Sequence, residues 1–156
     1  KHKWFEESLC ELASLFVLRQ SAETWKTKAP YPNWKGYSAA LKKYADERAA
    51  KSQLPAGTTL AQWHRDNAAA LMKDSCDRPR NNVVAVQLLP LFEKAPEHWA
   101  ALGALNAENL DASCTFQQYL EAWHRNCPAE HRGFVREIAS KFEVEIKPAG
   151  TTDERR

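Results

Sequence analysis

The chain has 156 residues, 44% hydrophobic and 27% charged, with a net charge of +2, which fits one soluble helical domain with an ordinary core. Five glycines and eight prolines are too few for a turn-dense β fold, while alanine, leucine, lysine and glutamate abound. The charge is too small to imply nucleic acid by itself, and no run of about 18 apolar residues exists to span a membrane.

The first helix is expected from about Trp4 to Arg19. Trp4, Phe5, Leu9, Cys10, Leu12, Ala13, Leu15, Phe16, Val17 and Leu18 cover most of its circumference, the pattern of a central, buried helix. Its polar exceptions, Glu7, Glu11 and Ser14, share one face by the i, i+4, i+7 rule.

From Ser21 to Tyr37 the helical pattern breaks, because Pro30 and Pro32 forbid regular helix and press their predecessors toward extended geometry. This long loop carries Trp25, Tyr31, Trp34 and Tyr37 among Lys26, Lys28 and Lys35. A loop of this length is usually functional or disordered, and four aromatics argue against disorder. Trp25, Tyr31 and Trp34 are therefore candidate binding residues. Lysine mixed with aromatics also occurs in single-stranded nucleic-acid binders, but Glu23, Asp46 and Glu47 weaken that footprint.

A second helix, about Ser38 to Lys51, is expected to turn Leu41 and Tyr44 inward. After the turn at Pro55-Ala56-Gly57, Thr59 and Gln62 have the spacing of a capping box, opening a helix with Leu60, Trp63, Ala70 and Leu71 on its apolar side. The apolar run Val83 to Phe92 reads as a helix kinked by Pro90, since no neighbour offers a partner strand. Pro96 suits a first helical position for a helix through Trp99 and Leu105. Thr115 and Gln118 form a second capping box before Phe116, Tyr119, Leu120 and Trp123. Pro128 then starts a last helix with Phe134, Ile138 and Phe142 at i, i+4, i+8. The expected fold is all-α: a single-domain bundle of six to seven helices over residues 1–142, with one long proline and aromatic loop. Residues 143–156 form a tail, partly disordered toward Gly150.

Complete catalytic motifs are missing from the sequence. There is no H-E-x-x-H, no H-x-x-x-H, no G-x-S-x-G and no glycine-rich phosphate loop. His124 and His131 lie seven apart, but Pro128 separates their helices, and the histidines read as partly exposed structural residues. Leu60-x-x-Trp63-His64-Arg65 echoes Leu120-x-x-Trp123-His124-Arg125, yet the flanks differ and the echo reads as coincidence. Cys10, Cys76, Cys114 and Cys127 form no C-x-x-C pair. Their even number permits two disulfides and leans toward an extracytoplasmic home, while four scattered thiols fit a reduced protein as well. Cys127, at a helix N-terminus, is a candidate for a lowered pKa.

Trp4-Phe5-Glu6-Glu7-Ser8 resembles the W-x-x-E-G element of gluzincin-type zinc metallopeptidases. In that family one helix carries H-E-x-x-H, with two histidine ligands and a glutamate general base, and the next helix supplies a glutamate ligand. Zinc held by three protein ligands keeps an open position for water. The resemblance implies that Glu7 is the third zinc ligand of an intact parent protein. It covers about the first dozen residues and departs twice: Ser8 stands in place of glycine, and the H-E-x-x-H helix is absent from this chain. That helix would precede Lys1, in line with a chain that begins without methionine or leader and reads as cut from something longer.

Two expectations follow. On the first, this is the C-terminal helical part of such an enzyme, catalytically incomplete alone, holding no zinc alone, with the missing N-terminal part as its partner. On the second, it is a non-catalytic helical interaction module whose aromatic loop docks a protein. Neither involves a membrane, and nucleic acid is disfavoured as a partner.

Overall fold

Side-chain caps visible in the sequence open three of the six α-helices of the described residues. In the computed structural model, which describes residues 2–146, the Thr59 hydroxyl accepts from the Gln62 amide at 3.2 Å while the Gln62 side chain accepts from the Thr59 amide at 3.1 Å. Thr115 and Gln118 repeat this arrangement at 3.2 and 2.8 Å. Each box satisfies amides that a helix N-terminus otherwise leaves without partners. Asp77 caps a third helix by accepting from the Arg80 amide at 3.2 Å.

The elements in order are α1 (Lys3–Thr24), a 3-10 turn (Pro32–Trp34), α2 (Tyr37–Ala50), α3 (Leu60–Lys73), α4 (Arg78–Lys94), a 3-10 helix (Pro96–Ala104), α5 (Phe116–Asn126) and α6 (Ala129–Lys141). No strand occurs among the described residues, so the fold is all-α, as composition and periodicity imply. The helices divide into two compact units, His2–Pro96 and Glu97 onward.

In the first unit α1 packs on α2, α3 and α4. Trp4, Phe5, Leu9, Leu12 and Leu15 are fully or nearly buried, but α1 is not enclosed all round: Cys10 is exposed and Val17 is 59% exposed. Helix α1 also runs five residues past Arg19. Nothing from Gln20 to Thr24 breaks a helix, and Ala22 is buried, so the proline effect is felt only nearer to Pro30.

Helix α2 turns Ser38, Ala45 and Ala49 inward, whereas Tyr44, expected inside, is 53% exposed beneath the Arg48 guanidinium. Small residues on the buried face allow close approach of the helix backbones, and the larger tyrosine is left outside.

Polar ties also hold α1 in place. The Ser8 hydroxyl donates to the Trp4 carbonyl at 2.8 Å and to Asn81 Oδ1 at 3.3 Å, and Asn81 Nδ2 donates to the Ser75 carbonyl at 2.8 Å. Pro90 lies inside α4, where its missing N–H removes one helical hydrogen bond.

In the second unit α5 packs on α6. Trp123 is buried and its indole N–H donates to the Ala101 carbonyl at 2.8 Å. Pro96–Ala104 is a 3-10 helix rather than the α-helix that the sequence predicts. Its buried residues, Ala101 and Ala104, are three apart, matching the three-residue turn of a 3-10 helix. Helix α6 ends at Lys141, close to the expected boundary at 142, with Phe142 buried and Glu143 in the left-handed region at φ 56°. Of the expected tail, residues 147–156 lie outside the described residues, Gly150 among them.

Candidate functional site

Glu7, the candidate metal ligand, is exposed on α1. The two polar residues that share its helix face are already engaged. Glu11 bridges Arg48 and Arg78, the latter at 2.8 Å, and the Arg48 guanidinium also donates to Ser14 Oγ at 3.3 Å and Asn82 Oδ1 at 3.0 Å. Trp4 is 1% exposed, covered from within the chain. Ser8, where the family element has glycine, is the buried residue that bonds to Asn81. Among the described residues, no group of three or more histidine, cysteine, aspartate or glutamate side chains is placed to hold a metal ion.

The loop aromatics come together. Trp25 caps the C-terminus of α1, its amide bonded to the Ser21 carbonyl at 2.8 Å. Pro32 opens the 3-10 turn, and the Trp34 amide closes it on the Tyr31 carbonyl at 2.9 Å. The buried Ser38 hydroxyl donates to the Ala22 carbonyl at 2.6 Å, pinning the start of α2 to the end of α1. On this frame Trp34 is the hub. It lies 5.5 Å from Trp25 with a 37° tilt, and makes T-shaped contacts with Tyr31 at 4.9 Å and Tyr37 at 6.2 Å. Trp25 and Trp34 are half-buried, while Tyr31 is 58% and Tyr37 56% exposed. The structure thus joins the three expected residues, Trp25, Tyr31 and Trp34, and adds Tyr37. Its signal was its position in the same loop.

A cleft of about 380 Å³ opens between the end of α1, α2 and α4, lined by none of these aromatics. Its charged walls neutralise one another: Arg19 pairs with Glu93 at 3.0 Å and lies 3.7 Å from Asp46, and Lys42 bonds to Asp46 at 2.5 Å. An ionic ligand entering there would have to displace existing pairs. The hydrogen bond from Lys42 is the main cause holding the Asp46 carboxyl below its ordinary range.

His64, His98 and His131 are partly exposed, as the sequence reading expects, whereas His2 and His124 are buried. His131 meets His98: their Nδ1 atoms are 2.9 Å apart, and His98 stacks on Phe134 with centroids 4.6 Å apart. The ring centroids of the histidine pair lie 5.2 Å apart, which is the nitrogen separation plus the two ring radii. The nitrogens therefore point head-on, the geometry of a shared proton rather than of two ligands converging on a cation. Nothing in the sequence marks this pair, because 33 residues separate its members.

His124 is buried rather than partly exposed. Its Nε2 lies 3.0 Å from an Arg136 nitrogen, so it accepts and the ring is neutral. Burial is the main cause lowering its pKa, assisted by Arg136 and Arg132.

All four cysteines are free thiols. Cys127 is also contrary to expectation. It is buried, and burial pushes its thiol pKa up despite the opposing effect of Arg132.

No helix among the described residues is long and apolar enough to cross a membrane. Comparison of the chain with protein-family models, with curated proteins and with solved structures found no match.

Proposed function

We propose that this chain acts as a non-catalytic helical interaction module, with Trp25, Tyr31, Trp34 and Tyr37 as its docking element for a protein partner. One observation carries the reading. Four aromatic rings pack on one another at the surface, braced by helix ends, instead of closing over the core. Rigid, partly exposed aromatics supply large contact area at little entropic cost, which is why tyrosine and tryptophan dominate binding hot spots.

The resemblance to the zinc peptidases draws less from the same helix. Exposure of Glu7 leaves it able to face a ligand set from outside this chain. A lost partner helix would leave apolar surface uncovered beside it: Cys10 is exposed there, but Trp4 is covered. Glu11 and Ser14 are likewise held by Arg48.

A photo-crosslinking residue in place of Tyr31, in the full chain expressed in its native cells, tests the docking reading. A discrete protein adduct is expected, lost when Trp34→Ala is added. A crosslinker replacing Met72, which is 49% exposed on α3, serves as the control. The same adducts from both positions would refute the proposal.

A further inference from the structure

We infer that the segment recognised by the aromatic cluster is an acidic peptide carrying an apolar or aromatic anchor. This rests on the docking reading and adds the partner's chemistry. Between Thr24 and Ala45 the chain has five lysines and no aspartate or glutamate. Three of those lysines are neutralised locally: Lys26 by Glu23 at 2.6 Å, Lys42 by Asp46 at 2.5 Å, and Lys43 by Glu47 at 3.8 Å.

Lys28 and Lys35 have no carboxylate partner among the described residues, and both are exposed. They belong to the cluster by position. Lys28 lies between Trp25 and Tyr31, its amide bonded to the Thr24 carbonyl at 2.8 Å, and Lys35 directly follows Trp34 at the end of the 3-10 turn. A partly exposed aromatic cluster whose chain also carries two uncompensated cations selects an apolar segment bearing carboxylates. The charges favour acidic partners and disfavour basic ones, while the rings supply the contact area.

Two features favour a peptide over a nucleic-acid strand, the other anionic polymer. Single-stranded nucleic acid stacks its bases on open aromatic faces. Here Trp34 is packed against Trp25 and in T-shaped contact with two tyrosines, so its ring is engaged within the cluster. Backbone-tracking grooves also neutralise many phosphates, whereas only two lysines are uncompensated here.

The test is fluorescence polarisation with the whole chain and three labelled peptides that alternate phenylalanine with glutamate, glutamine or lysine, together with labelled oligothymidine. The glutamate peptide is expected to bind, with the glutamine peptide about five- to tenfold weaker at low salt and the lysine peptide weaker still. Added salt should erase the difference between the first two, and a Lys28→Gln/Lys35→Gln variant should bind them equally. Trp34→Ala should weaken both.

Equal binding of the glutamate and glutamine peptides to the native chain would overturn the acidic preference and leave the docking reading intact. Tighter binding of oligothymidine would overturn the peptide assignment. If no peptide binds, the inference fails, and the crosslink at Tyr31 judges the docking reading independently.

Discussion

His64 lies against the indole of Trp4, with ring centroids 5.0 Å apart and planes tilted by 31°. Burial against this ring, with His2 and Arg65 adding positive charge nearby, lowers the His64 pKa to about 4. A folded pKa below the unfolded value means that the unfolded chain binds more protons as the pH falls. The stability tied to neutral His64 is therefore complete above about pH 6.5 and is lost progressively toward pH 4. Between pH 7 and pH 5 the loss should be about 1 kcal/mol, because His64 keeps part of its surface in screening solvent. Urea unfolding at both pH values, compared with His64→Phe, checks this: the variant should lose markedly less. An identical loss in both proteins would mean that Trp4 does not hold His64 neutral.

Glu7 and Glu11 sit on one helix face but should differ sharply on substitution. Glu11 is 18% exposed and bridges two arginines on different stretches of the fold. Glu11→Gln should cost about 1–3 kcal/mol, because it leaves Arg48 partly buried without its counter-charge. Glu7→Gln should change stability by less than about 0.5 kcal/mol. Thermal or urea melts of the pair decide, and equal costs would contradict the assignment of Glu11 as the structural carboxylate.

The capping box at Thr115 supports the helix that delivers Trp123 to Ala101. Thr115→Ala should destabilise the protein by about 1 kcal/mol. Thr115→Ser, which keeps the acceptor, should cost much less. Urea midpoints measured on both variants provide the comparison, and a Ser variant as damaged as the Ala variant would assign the loss to the missing methyl group.

Metal content bears on the zinc-peptidase resemblance. After dialysis against a weak chelator, the isolated chain should retain no stoichiometric zinc, since Glu7 brings one carboxylate where a site needs three protein ligands. Atomic emission on the dialysed protein measures this. One zinc per chain would overturn this expectation and would require ligands beyond Glu7.

What the sequence determined by itself were the features governed by neighbours along the chain. The threonine and glutamine of each capping box are three residues apart, so Thr59 and Thr115 marked their helix starts without tertiary context. Pro30 and Pro32 fixed the interruption after α1, and periodicity placed Phe134 and Ile138 on the buried side of α6. Tertiary structure decided what depends on distant partners. Whether Glu7 or Glu11 meets an arginine, whether Tyr44 or Ala45 faces inward, and which histidine joins His131 are settled by helix packing. The aromatic loop lies between the two cases. Its residues were visible as a set, but their gathering around Trp34 shows only where the chain folds back, with Ser38 at the start of α2 bonded to Ala22. Local rules act over three or four residues, whereas burial and charge pairing act wherever the chain returns upon itself.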